Sequence, residues 1–144
     1  MSKRHDVDRA VLALVTRALL GHVVIGLEDG ADRPRQTDQK NMAVVRDGDL
    51  EEPDVDLSPP TWHWLHRVPI ELRAYKQSAP LRDVLDGMAA KVGAAVAADR
   101  FLGGLVSFLD VSGLDVEPLS SFGARTELGA TFDIVATYST NSPL

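Results

Sequence analysis

The sequence predicts an α+β fold, in which a mixed or antiparallel sheet of about four to five strands carries two helices on one face. Apolar residues recur at helical spacing in two separate segments, and they alternate with mostly polar residues in two others. The predicted order is α-β-β-β-α-β-β, without regular alternation of strand and helix. Such an order is typical of helices packed on one side of an antiparallel or mixed sheet.

Composition indicates one globular domain over residues 1–144, with 44 % hydrophobic residues. The absence of cysteine excludes disulfides and thiolate nucleophiles, and it favours a reducing compartment. The longest nearly uncharged run, 101–109, is far shorter than the roughly 20 residues that span a bilayer. Charged residues interrupt the first apolar run, so no signal peptide is expected. A net charge of −6 disfavours nucleic-acid binding as the main role.

The first third of the chain is predicted to contain one helix and two short strands. Apolar side chains at three- and four-residue spacing indicate a helix that is capped by Asp6 or Asp8 and continues through Leu20. The β-branched run 23–25 indicates a strand, and the apolar segment 42–45 indicates another.

Two polar stretches are predicted to be long loops. Residues 28–41 are nearly all polar, and residues 47–60 combine six acidic residues with three prolines. The acidic stretch does not match an EF-hand calcium loop, because the sixth and twelfth positions counted from Asp47 hold Glu52 and Ser58. A solvated acidic loop is the preferred interpretation, and a weak calcium site or a charged partner surface is the alternative.

The second half contains the clearest strand pattern. Residues 61–75 alternate in polarity and would extend about 50 Å, so the start of this strand is predicted to project beyond the core. Pro69 indicates a bulge or an edge position. An apolar stripe over 81–96, just after a proline, predicts the second helix. Residues 114–119 indicate a short strand, and alternation over 130–139 indicates the last one.

No catalytic residue, metal ligand or cofactor site is predicted. His63 and His66 are three positions apart and would point to opposite faces of a strand, so they cannot bind one ion together. His5 and His22 lack a ligand at helical spacing. Phosphate-binding loops, dinucleotide fingerprints and nucleophile elbows are absent from the sequence. The enzyme alternative is a small hydrolase or transferase that uses His63 or His66 with a carboxylate such as Glu71.

Several segments follow one another in the order found in a known family. After the leading amphipathic helix and its polar loop come Met42-Ala43-Val44-Val45-Arg46-Asp47-Gly48-Asp49, Pro59-Pro60-Thr61-Trp62, His66-Arg67-Val68-Pro69-Ile70-Glu71-Leu72, Phe101-Leu102-Gly103-Gly104-Leu105 and Phe132-Asp133-Ile134-Val135-Ala136-Thr137-Tyr138-Ser139-Thr140. In organisation and local character, most of the chain resembles the tail terminator proteins of siphophages, their prophages and related gene transfer agents.

The resemblance implies a structural assembly protein and not an enzyme. Members of that family form a six-membered ring that caps the head-proximal end of the tail tube, stops tube polymerisation and meets the head connector. It therefore implies a hexameric homo-oligomer without cofactor, with the tail tube protein and the head–tail connector or neck protein as partners. DNA would only pass through the lumen, and no membrane is involved. The expected location is a virion or phage-like particle assembled in the bacterial cytoplasm. Another neck or tail-tube-like subunit is the alternative.

Interface residues are expected in the two polar stretches and on the outer face of the long strand, because the remaining segments have the pattern of a core. Closed rotational symmetry requires two different faces on each subunit. The candidate residues for contact between subunits or with the tube are Asp29, Arg33, Arg35, Lys40, Asp49, Glu51, Asp54, His63 and Arg67.

Overall fold

The computed structural model describes residues 2–26, 41–75, 80–118 and 127–143. These residues form two α-helices, eight strands and a short 3-10 turn at Leu102–Gly104. In chain order the elements are α1 Lys3–Ala18, β1 Val23–Gly26, β2 Met42–Val45, β3 Asp49–Leu50, β4 Asp54–Leu57, β5 Pro60–Tyr75, α2 Leu81–Ala98, β6 Phe108–Val111, β7 Asp115–Pro118 and β8 Glu127–Thr140.

The strands form one mixed sheet. Its main path is β1-β2-β5-β8-β6, while β3 and β4 also pair with β5 and β7 pairs with β8. Only the β1–β2 pair is parallel among the described strands. The α+β class is therefore confirmed, but the predicted count of four to five strands is wrong, since the described residues contain eight.

The two longest strands are the centre of the molecule. β5 pairs with β8 from Trp62↔Thr140 to Tyr75↔Glu127. This confirms the long strand predicted from alternation and extends the predicted last strand at both ends. Val68, Ile70 and Leu72 alternate with partly exposed neighbours and are fully buried, because they share the face that the helices cover.

Both helices pack on that face and complete one core. Val11 of α1, Leu85 and Val92 of α2, and Ile134 of β8 belong to the same buried cluster. Ser2 caps α1 by accepting a hydrogen bond from the His5 backbone N–H at 3.3 Å, so the predicted aspartate caps are wrong. Neither described helix is long and apolar enough to cross a membrane.

The acidic stretch 47–60 is not a loop, contrary to the prediction. β3 and β4 both lie along β5, with Leu50 opposite His66 and Val55 opposite Trp62. Acidic residues and prolines disfavour a strand locally, but a long neighbouring strand supplies hydrogen-bond partners that local composition does not reveal. The other predicted loop, 28–41, lies outside the described residues except for Asn41, which is buried.

Candidate functional site

A projecting hairpin forms the most distinctive surface of the described chain. β4 and the start of β5 pair from Asp54↔His63 to Leu57↔Pro60 and are joined by Ser58 and Pro59. We call residues 54–63 the arm. All four residues of β4 are exposed, and none of the arm's residues belongs to the core cluster. The prediction that the start of β5 projects beyond the core agrees with this exposure.

The arm has one apolar face and one polar face. Residues directly opposite in an antiparallel pair lie on the same side of the sheet, and neighbours along a strand lie on opposite sides. Asp54, Asp56, Thr61 and His63 therefore share the polar face, where His63 Nε2 lies 2.8 Å from Asp56 Oδ2. The apolar face consists of Val55, Leu57, Pro60 and Trp62.

The apolar face of the arm is open to solvent. Leu57 is 80 % exposed and Val55 is 43 % exposed, whereas the apolar residues farther along β5 are buried beneath the helices. Trp62 is only half-buried and lies outside the core cluster. Adjacent exposed apolar side chains on a projecting element are a common mark of a binding surface.

The described candidate residues of the sequence prediction lie together on the outer face of the sheet. Asp49 is opposite Arg67, and Asp54 is opposite His63. Glu51 Oε1 accepts a hydrogen bond from Arg67 Nε at 2.9 Å, and this bond raises the pKa of the exposed arginine. The result is a solvated strip of charge that runs from the arm along β3 and β5. The remaining candidates, Asp29, Arg33, Arg35 and Lys40, lie outside the described residues.

Glu71 lies farther along the same outer face and contacts two arginines. Its carboxylate accepts hydrogen bonds from Arg46 Nη2 at 2.9 Å and Arg73 Nη2 at 2.7 Å. Burial alone would raise the pKa of Glu71, but the bonds from Arg73 and Arg46 outweigh burial and lower it. The suggested pairing of Glu71 with a histidine is therefore wrong, because the described carboxylate is paired with guanidinium groups.

A buried hydrogen-bonded cluster, not predicted from the sequence, joins α1 to the sheet. His66 is fully buried, with Nε2 2.9 Å from Asp8 Oδ1 and Nδ1 3.0 Å from the Tyr138 hydroxyl. An ionised Asp8 can only accept, so His66 Nε2–H donates to it. In the neutral imidazole, Nδ1 is then the acceptor for the Tyr138 O–H. The Gly48 backbone N–H also donates to Asp8, at 3.2 Å.

This cluster has the composition of a catalytic relay, but its environment indicates a role in packing. Both ring nitrogens of His66 are occupied, and the ring has no exposed surface with which to touch a substrate. Burial, with a contribution from the Asp8 charge, raises the pKa of Tyr138 to about 12, so its phenol is a poor nucleophile at neutral pH. Asp8 does line a surface pocket of about 230 Å³ with Ser2 and His5.

Two properties of the described residues bear on the binding of metals and small ligands. No group of three or more histidine and carboxylate side chains that could hold a metal ion occurs among them. Every buried side-chain nitrogen or oxygen in the described part has a hydrogen-bond partner. Two further shallow pockets measure about 240 and 280 Å³, one on the outer face of the sheet beside Glu71 and one between the helices.

No protein-family model matches the sequence, and no match was found among curated proteins.

Proposed function

We propose that this chain is a tail terminator, a structural subunit that forms a ring on the head-proximal end of a phage-type tail tube. The observation that carries the proposal is the arm, whose apolar face includes the highly exposed Leu57. An element of this kind contributes little to the core of its own chain, and it suits contact with another subunit. The order of segments along the chain, which resembles the tail terminator family, supports the same function.

The distribution of charge also suits an assembly subunit through which DNA passes. Residues 47–60 contain six of the 21 acidic residues and none of the 15 basic ones, so the rest of the chain contains fifteen of each sign. Residues 47–60, which include β3, β4 and the beginning of β5, thus carry a net charge equal to the −6 of the whole chain. An acidic subunit does not retain DNA by phosphate contacts, and DNA would slide past it. The proposed partners are further copies of this chain, the tail tube protein and the head connector.

Electron microscopy of tail tubes tests the proposal. Tubes of the cognate tail tube protein should acquire one ring at one end and stop elongating when the protein is added. Leu57→Asp should abolish capping without unfolding the subunit, because the arm lies outside the core. Leu114→Asp, at a leucine that is 37 % exposed and outside the arm, is the matched control and should still cap. Tubes that grow unhindered with the wild-type protein would exclude a terminator.

Electron microscopy of the protein alone, with tubes and with the isolated connector also separates the two other structural roles. A tail-tube-like subunit would extend into tubes by itself, and a neck protein would bind the isolated connector while leaving tube ends bare.

The Asp8–His66 pair is the specific observation that favours the hydrolase alternative, because a histidine here does contact a carboxylate at 2.9 Å. A hydrolase that uses this pair requires turnover to depend on His66, whereas one that uses the exposed His63–Asp56 contact at 2.8 Å requires it to depend on His63. Hydrolysis of model esters or phosphoesters by the wild-type protein, lost in a folded His66→Gln variant, would support it over the structural proposal.

A further inference from the structure

One edge of the arm has no strand beside it. β4 pairs with β5 along one side, and no other described strand pairs with it. All four residues of β4 are exposed, so its second edge faces solvent. In an antiparallel pair, every second residue of a strand directs its backbone N–H and C=O groups away from its neighbour. These groups offer hydrogen bonds to a further strand, which is how extended segments of partner proteins add to the edge of a sheet.

The side chains of β4 indicate which kind of strand fits beside it. Asp54 and Asp56 lie on the polar face of the arm, whereas Val55 and Leu57 lie on the apolar face. The side chain of Asp56 remains 74 % accessible, although His63 lies 2.8 Å away. A strand that is added next to β4 places its own side chains alternately beside these two faces. Lysine or arginine on one face and apolar residues on the other would therefore complement β4.

Charge argues against a second copy as the source of the added strand. If two β4 edges paired with their apolar faces on one side, their aspartates would lie together on the other side, where like charges destabilise the pair. The other described strands with an unpaired edge, β1, β3, β6 and β7, contain no lysine or arginine. The described edges of a second copy thus lack the basic face that β4 requires, which favours a segment of another protein.

We infer that the free edge of β4 binds an extended segment of another protein in which lysine or arginine alternates with apolar residues. The inference deepens the proposed function, on which it rests, because it names the kind of segment in a neighbouring tail protein that the arm binds. The added strand lies beside the arm and not on its apolar face, so that face remains available for contact between copies. Because β4 has only four residues, the contact is short and needs both charge and backbone pairing.

Binding of designed peptides tests the inference without tail tubes. The probe is a short fluorescein-labelled peptide of alternating lysine and valine, titrated with the full-length protein and followed by fluorescence anisotropy. One control peptide alternates glutamate with valine. A second control, the block peptide, keeps the composition and charge of the probe but places all lysines before all valines. The probe should bind more tightly than either control by about tenfold, because only the probe offers opposite charges in strand register.

Exchanging the charges of the arm provides the matched test on the protein. Asp54→Lys with Asp56→Lys should reverse the preference, so that the glutamate peptide binds more tightly than the lysine probe. The control variant, Asp83→Lys with Asp86→Lys, makes the same change in net charge at two exposed positions of α2 and should keep the wild-type preference. Hydrogen exchange should show that the bound probe protects backbone amides of β4 and leaves those around Ile134 unchanged.

Three results would overturn the inferred contact. Equal binding of the probe and the block peptide would indicate general charge attraction. Tight binding of the glutamate peptide to the wild type would indicate a second acidic edge, and thus a second copy, as the occupant. A control variant that reverses the preference as fully as the arm variant would place binding elsewhere. If the wild type caps tubes but does not bind the probe, the inference fails and the proposed function stands. If it binds the probe but caps no tubes, the terminator role fails and the edge contact stands.

Discussion

Among the described glycines, Gly48 is the one at which an added Cβ atom would meet its neighbours most closely. A Cβ atom added there would overlap the ring of His66 and approach Asp8 Oδ1 at 2.8 Å. The backbone has little freedom to move, because Gly48 donates to Asp8 and its carbonyl accepts from Arg4 at 2.9 Å. The absence of a side chain at this position is therefore what allows the buried histidine and aspartate to meet.

Gly48→Ala is expected to lower the free energy of unfolding by about 1–3 kcal/mol, the usual cost of overpacking a site that cannot relax. Urea unfolding followed by circular dichroism measures the change. Gly87→Ala is the matched control, since nothing lies within 4 Å of a Cβ atom there. Alanine is a better helix former than glycine by about 1 kcal/mol, so the control should be neutral or stabilising. Equal effects of the two substitutions would contradict the close approach at Gly48.

Glu71 is expected to make stability depend on pH in the acid range. Its folded-state pKa lies below the ordinary value of 4.5, so its contribution is complete above that pH and is lost as pH falls through the lowered pKa. Glu71→Gln should cost about 1.5–3 kcal/mol at pH 7, the typical worth of hydrogen bonds to a charged group. The difference from the wild type should shrink below pH 4.5.

Glu51→Gln is the control for this pH series. The Glu51–Arg67 pair is exposed, with side chains 51 % and 41 % accessible, so solvent screens it and its loss should change stability much less than the loss of Glu71. Parallel urea titrations at pH 7 and in the acid range measure both variants. A Glu71→Gln difference that stays constant with pH would show that the carboxylate charge is not responsible.

Among the single elements, the sequence pattern predicted both helices, the two long strands and the short strands β1, β2 and β7, but not β3, β4 or β6. In β5, β8 and α2 the regular spacing of apolar residues continues over many positions. The predicted positions of these elements are confirmed with small shifts at the ends. β3 and β4 depend on pairing with β5, and their acidic and proline-rich composition indicated a loop. A short strand that is stabilised by pairing with a neighbour does not need apolar alternation in its own residues.

The buried cluster was missed for a related reason. Asp8, His66 and Tyr138 are separated by 58 and 72 positions in the chain, and only the packing of α1 over β5 and β8 brings them together. His66 does share strand parity with Trp62, Trp64 and Val68, and that parity was the available signal that its side chain faces the core. A partner so remote in sequence has no local signature.

The arm is expected to be the least protected strand pair of the described sheet in the isolated subunit. β4 is exposed along its length and pairs with β5 only, whereas the centre of β5 has partners on both sides. Backbone amides of β4 should therefore exchange with deuterium much faster than those around Val68 and Ile134, because local opening of the arm exposes little apolar surface. Mass spectrometry of peptic fragments measures the difference, and equal protection in the two regions would contradict it.

Exchange also reports on assembly. If the arm is an intersubunit contact, its amides should become protected when rings form, while the core of β5 and β8 changes little. Unchanged arm exchange in assembled particles would place the contact elsewhere on the subunit.

The subunit as a whole combines a buried core with one projecting arm whose apolar face is exposed to solvent. Leu57 is 80 % exposed and Val55 is 43 % exposed, so burying what remains of both side chains contributes about 2–4 kcal/mol, which does not exceed the cost of associating two molecules. One contact of this kind holds two copies together only weakly. A closed ring is more stable, because every copy in it makes two such contacts. Assembly is therefore expected to be strongly concentration-dependent and to be promoted by a tube end that aligns the subunits.

Native mass spectrometry over a range of concentrations, with and without cognate tube ends, shows whether this chain closes into a ring through the arm. We expect monomer and a single larger species of fixed stoichiometry, with six copies expected from the family resemblance, and we expect Leu57→Asp to leave only monomer. A wild-type chain that stays monomeric under both conditions, or that forms a continuous series of ever larger open assemblies, would contradict it.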